Sequence, residues 1–200
     1  MRSSSFRALL FIAFLAFFLT APPTRAGDDK PPTSGFLADY LAQIQPVQSQ
    51  IMKLEQAVPQ EKYAWRPAEG VRSISEVYLH IAGSNYFLLS FGGYTAPKEA
   101  NFGGGESKAW ETATTNKQEI AKKLQVSFDW LRSTVMNITD TDLEKKVDFF
   151  GSEITLRSLL INNLNHLHEH LGQSIAYARM NGVVPPWTAE AEARAKDKAK

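Results

Sequence analysis

Residues 160–180 read LINNLNHLHEHLGQSIAYARM, and no other stretch restricts the possible folds as much. At about 100° per residue, Leu160, Leu164, Leu167, Leu171, Ser174 and Ala178 fall on one stripe of a continuous helix, which has to be buried against other helices. Three of the chain's four histidines lie on this helix. His166 and His170 are roughly 40° and one turn apart, so both imidazoles reach one point beside it, a chelating arrangement. His168 projects to nearly the opposite side and makes a poor ligand. The pair lies along one edge of the stripe, where a bundle interior opens into a cavity, so a third ligand has to come from another helix.

The candidate is His80, in SISEVYLHIAGSNYFLL, a second amphipathic segment. Three neutral imidazoles bind a divalent metal and leave a position for water or substrate. The alternative is a set of ordinary polar histidines hydrogen-bonded at a helix edge; an i,i+4 pair joined by His80 favours the metal. With no cysteine in the chain, the donors are nitrogen and oxygen. They suit zinc or nickel, with iron or manganese next, over copper(I) or an iron–sulfur cluster. No organic cofactor site is expected.

The H-x-x-x-H-x-G-Q run (His166, His170, Gly172, Gln173), the earlier His80, the W-R-P of Trp65, Arg66 and Pro67, and the closing G-V-V-P-P-W together resemble the DinB/YfiT-like family over about residues 35–187. The specificity lies in their order and spacing, since no single motif is diagnostic. The resemblance implies an all-α fold, a four-helix bundle of DinB/YfiT type. It also implies a three-histidine metal site with His80, His166 and His170 as ligands, and pairing into a homodimer. Many members read H-R-G-Q where this chain reads H-L-G-Q, so Leu171 stands in place of an arginine and any anion-holding role of that arginine is in doubt here.

The rest of the chain fits such a bundle. Apolar residues from Phe36 to Val58 recur at helical spacing, with Pro46 predicting a kink or a fresh helix start. Residues 59–72 form a first long crossing in which Trp65 caps the end of the core. Ser73 and Glu76 make a capping box for the second helix; Glu76 has the alternative role of an acceptor fixing the His80 tautomer. Ser84, one turn past His80, lines a cavity or fills a close helix contact. The glycine-rich residues 92–114 are a flexible crossing whose aromatics cap the core or form a lid. A third helix spans residues 116–136, capped by Thr115 and Gln118, with Glu119 and Lys123 paired on its solvated side. Residues 147–154 suggest a short β-hairpin before the last helix. Thr155 caps that helix, which stops near Asn181 with Gly182 as its left-handed terminator. Asn163 and Gln173 sit on the ligand side, placed to orient an imidazole or contact substrate.

At 200 residues with 44% apolar content, the chain suits one domain with a real core plus extras. Lys and Arg number 22 against 21 acidic residues, which lacks the basic excess of a nucleic-acid binder. Residues 1–26, with Arg2 and Arg7, an apolar run over 8–19 and a T-R-A ending, follow the plan of a secretory signal peptide cleaved after Ala26. Twelve apolar residues are too few to span a bilayer of about 30 Å. The expectation is a periplasmic or secreted protein with no stable membrane span after cleavage, a linker over 27–34, the bundle over 35–187 and a charged, mobile tail over 188–200.

The simplest chemistry of such a site is metal-dependent hydrolysis of a small-molecule substrate. The family resemblance adds thiol S-transfer as an alternative, less suited to an exported protein that meets little thiol. A third possibility, of another class, is a non-catalytic metal-binding protein whose histidines staple two helices together. No catalytic residue is assigned: Glu169 is adjacent to His170 but turned about 100° from it.

Overall fold

Pro46 does not break the first helix. In the computed structural model, which describes residue 32, residues 34–104 and residues 108–199, helix α1 (Gly35–Ala57) runs through it without interruption. Pro46 is exposed, so its missing donor and its ring lie on the solvent side, while Leu37, Tyr40, Ile44, Val47, Ile51 and Leu54 face inward. The expected signal, residues 1–26, lies outside the described residues, as does the linker 27–34 apart from residues 32 and 34. Among the described residues no helix is long and apolar enough to cross a membrane.

Four long helices form the bundle: α1, α2 (Ile74–Ser90), α4 (Lys117–Met136) and α5 (Leu156–Met180), with a four-residue helix α3 (Lys108–Glu111) in the glycine-rich crossing. Helix α2 packs mainly on α4 and α5, and α1 on α5 and α4. The consecutive helices α1 and α2 are thus diagonal, which is why a long crossing joins them. The capping box is present: Ser73 Oγ accepts from the Glu76 N–H, and Glu76 Oε2 accepts from the Ser73 N–H at 2.9 Å. Such a cap contributes about 1 kcal/mol.

Helix α2 is buried nearly all round, from Ile74 to Leu89 with only Phe87 partly open, so the expectation of an amphipathic segment is corrected. The face left over by α4 and α5 is covered by α3. Trp110 lies flat enough on α2 to donate from Nε1 to the Leu79 carbonyl at 2.9 Å, where a Cβ on Gly83 would come within 2.7 Å of that nitrogen. The crossing's aromatics therefore cap the core: Trp110 is 8% exposed and Phe102 meets it edge to face.

The cap of α4 is Asn116, whose Oδ1 accepts from the Glu119 N–H, one residue beyond the expected Thr115. Lys123, expected to pair with Glu119, instead places its ammonium 4.1 Å from the Trp110 ring centroid. A hairpin follows, β1 (Lys146–Phe149) with β2 (Ser152–Thr155), turning through Phe150 and Gly151, both at positive φ. Thr155 caps α5, and Gly182 ends it in a Schellman arrangement, with Val183 N–H bonded to the Ala178 carbonyl.

The tail expected to fray is helix α6 (Pro186–Lys198), with Pro186 in its first turn and no buried residue. Its Ala, Glu, Lys and Arg residues are strong helix formers, so local propensity suffices without an apolar face.

One polar layer crosses the bundle interior and takes a residue from each long helix. Tyr40 donates to Asn163 Oδ1 at 2.7 Å, Asn163 to Asn85 Oδ1 at 3.4 Å, and Asn85 to Ser127 Oγ at 3.2 Å. Asn163 therefore serves helix register and does not touch an imidazole.

Candidate metal centre

The packing of α2 against α5 brings His80 to the i,i+4 pair. His80 Nε2 and His170 Nε2 lie 3.0 and 3.1 Å from His166 Nε2, and one ligand atom from each ring falls within 4.8 Å of the others. His80 and His170 are buried and His166 partly so; His168 is exposed and takes no part.

The other ring nitrogens fix the tautomers. His80 Nδ1 meets Glu111 Oε1 at 2.8 Å, and His170 Nδ1 meets Gln173 Oε1 at 2.8 Å. Both partners are acceptors, so both Nδ1 atoms carry the proton and both Nε2 lone pairs point at the common centre. A single proton on His166 Nε2 satisfies one of the two short contacts; a cation satisfies all three. Donors about 2.0–2.1 Å from a shared ion stand about 2.9–3.4 Å apart, which the two separations match. The residues present fit a divalent metal. His166 Nδ1 is buried and finds no partner among the described residues.

Electrostatics keeps His80 and His166 neutral. Burial, with the nearby His170 and the Arg72 charge, lowers the His80 pKa to about 4 against the opposing pull of Glu111. Burial, together with His170, His80 and Arg72, takes His166 to about 3. Lone pairs on these two rings are thus available to a metal throughout the neutral range. Burial acts to raise the Glu111 pKa, but Arg72 and His80 outweigh it and hold the carboxyl below its ordinary value. Arg72 grips that carboxylate with both prongs, Nε to Oε2 at 2.9 Å and Nη2 to Oε1 at 2.8 Å.

Glu111 and Arg72 were not legible in the sequence as site residues. Glu111 is 31 positions from His80, on a four-residue helix within a glycine-rich segment, and no spacing rule links them. The role of orienting His80, considered for Glu76, belongs to Glu111; Glu76 is the cap, and it also binds Arg66 at 3.1 Å and Lys108 at 3.3 Å. Gln173 was placed correctly. Its Nε2 donates to Tyr177 Oη at 3.0 Å, and Trp65 meets the Tyr177 ring edge-on at 5.4 Å, so the first crossing braces His170 at two removes. Ser84 is buried with its hydroxyl unpartnered among the described residues. A separate cavity of about 220 Å³, bounded by Tyr86, Trp110, Lys122 and Lys123 among others, contains none of the histidines.

A sequence model of the DinB superfamily matches residues 43–174, which include all three histidines. The fold is similar to that of a DinB-like protein from Bacillus cereus, with a TM-score of 0.61 and 24% identity over 74% of this chain and 93% of that one. A DinB-like protein from Bacillus subtilis superposes with a TM-score of 0.56 and 19% identity, over 72% and 92% of the respective chains. No curated protein matches the chain.

Proposed function

The chain belongs to the DinB superfamily, and on that premise we propose that it is an exported, metal-dependent hydrolase of a small-molecule substrate, with a divalent ion, zinc or nickel first, held by His80, His166 and His170. The observation that carries this reading is the convergence of three Nε2 atoms, two of them left as pure donors by Glu111 and Gln173. A divalent ion bound there supplies Lewis acidity toward water or a substrate oxygen. Glu111, kept ionised by Arg72, holds the proton on His80 Nδ1 and fixes the plane of that ring; Gln173 does the same for His170. Burial of His80 and His170 excludes competing water from their donor atoms. The export part rests on the signal-like pattern of residues 1–26, and N-terminal sequencing of the exported protein is expected to begin at Gly27.

The burial of His80 and His170, 5% and 7% exposed, also favours a second reading: a closed site that staples α2 to α5 without catalysis. The test is metal analysis of the purified protein, then titration of the cobalt-substituted form with azide and a screen of ester, amide and thiol substrates with and without chelator. One ion per chain, a spectral response to azide and chelator-sensitive hydrolysis are expected. An ion that ignores azide, with no turnover, would replace the hydrolase by the staple; turnover of thiols alone would replace it by S-transfer.

A further inference from the structure

Glu119 and Lys123 are spaced i,i+4 in the order that favours an ion pair, and the pair is not made. Both residues instead line the cavity of about 220 Å³ bounded by α2, α4 and the glycine-rich crossing, apart from the histidines. Helix α4 also places Lys122 there, and the crossing supplies Glu99 and Trp110. Glu99, Glu119 and Lys122 make no ion pair or side-chain hydrogen bond among the described residues, and Lys123 holds its ammonium over the Trp110 ring. Two carboxylates and two ammoniums thus line one space without closing on one another. A lone anion there would meet both carboxylates and a lone cation both ammoniums, so a single charge has little net gain.

The floor of the cavity is made of rings. Tyr86, 2% exposed, packs against Phe102 and Trp130 at centroid separations of 5.4 and 5.0 Å. Its hydroxyl has no hydrogen-bond partner among the described residues, which is uncommon for a phenol so deeply buried. Burial, with the Asp129 charge, pushes its pKa up to about 12, so it keeps its proton and is a donor without an acceptor. At about 220 Å³ the space falls below the range of about 300–1,000 Å³ for drug-sized pockets, so its occupant is small.

We propose that this cavity binds a small zwitterion, an ammonium and a carboxylate on one apolar body, such as a free apolar α-amino acid. The ligand's carboxylate draws Lys123 from the indole face, shares Lys122 and accepts from the Tyr86 hydroxyl. Its ammonium meets Glu99 and Glu119, and its apolar part takes the place of the Lys123 ammonium over Trp110. One molecule carrying both charges uses both halves of the lining, and a floor already ordered by ring packing limits the entropy lost on binding. The site stands whether or not the metal centre is catalytic.

The experiment titrates the metal-free protein with L-leucine, L-methionine and L-phenylalanine in turn, following the Trp110 indole N–H and the Glu119, Lys122 and Lys123 amides by NMR. Working without metal keeps chelation of an ion by the amino acid out of the measurement. Saturable shifts at these signals are expected for at least one of the three. The N-acetyl and the amide derivatives of the tightest binder each lack one charge and are expected to bind about fivefold more weakly, the upper end for one exposed ion pair. Lys122→Gln and Tyr86→Phe are each expected to weaken binding by a similar factor while keeping the wild-type Tm. Absence of saturable shifts with all three amino acids would overturn the site. Undiminished binding of either derivative would reduce it to a site for a single ion and overturn the zwitterion, as would wild-type affinity in the Lys122→Gln, Tyr86→Phe double variant. Zinc binding is measured on separate samples and is expected to be unchanged in Lys122→Gln, so failure of the cavity and failure of the metal centre are read from different signals.

Discussion

Two residues decide the quality of the centre, and neither is a ligand. Glu111 and Gln173 assign the protons of His80 and His170, and partners of this kind are typically worth 10–100-fold in metal affinity. Glu111→Gln is therefore expected to weaken zinc binding by about 10–100-fold in a chelator competition, whereas His80→Ala, His166→Ala and His170→Ala abolish it and His168→Ala leaves it at the wild-type level. Equal losses at all four histidines would contradict the facing of His168. Far from the centre, Glu55 is fully buried, and its Oε1 lies 2.5 Å from the Tyr63 hydroxyl, which also contacts the Glu55 carbonyl at 3.0 Å. The phenol has one proton, and its hydroxyl is the donor in both contacts, shared between Oε1 and the carbonyl. Burial raises the Glu55 pKa, with Tyr63 and Lys117 opposing, and Oε2 has no hydrogen-bond partner among the described residues. A raised folded value means that its contribution to stability is fully present below the unfolded carboxylate pKa of about 4.3 and is lost as pH rises through the folded value. Denaturant unfolding of Glu55→Gln against wild type is expected to show a stability difference that grows in favour of the variant as pH rises across that window. Parallel curves would refute the raised carboxyl pKa.

At the scale of elements, the helices were legible because periodicity and caps are local. The stripes of α1, α4 and α5, the Ser73–Glu76 box, the Thr155 cap, the hairpin and the Gly182 stop all involve residues within a few positions of one another. The departures have separate causes. Pro46 was expected to interrupt α1, but a proline on the solvent face disturbs only bonds that water can replace. The tail was expected to fray for lack of an apolar face, although propensity alone supports α6. Helix α2 was taken as amphipathic because nothing local announces that Trp110, 31 residues beyond Leu79, covers its outer side. That cover depends on Gly83. Gly83→Ala puts a methyl 2.7 Å from the indole nitrogen and is expected to cost about 1–3 kcal/mol in urea unfolding, with the Trp110 fluorescence altered. A variant as stable as wild type, with unchanged fluorescence, would show that the indole has room to move.

At the scale of the molecule, the metal would join α2 to α5 across the bundle, so binding and folding are linked. With free zinc at about a hundredfold its dissociation constant, the gain is about 2.7 kcal/mol, which for a chain of this size raises Tm by about 5–10 °C. Chelation is expected to reverse that shift in wild type and to change nothing in His166→Ala; a chelator-insensitive wild type would mean that no ion bridges the two helices. What the sequence determined by itself was whatever repeats within a turn or two: the helical stripes, the chelating spacing of His166 and His170, the exclusion of His168, and the reach of Gln173 toward His170. Only the tertiary structure decided the meeting of His80 with that pair and the Arg72–Glu111 support behind it. Those contacts join residues 31 to 90 positions apart, and helix packing, unlike helix formation, leaves no period in the chain by which such partners can be matched.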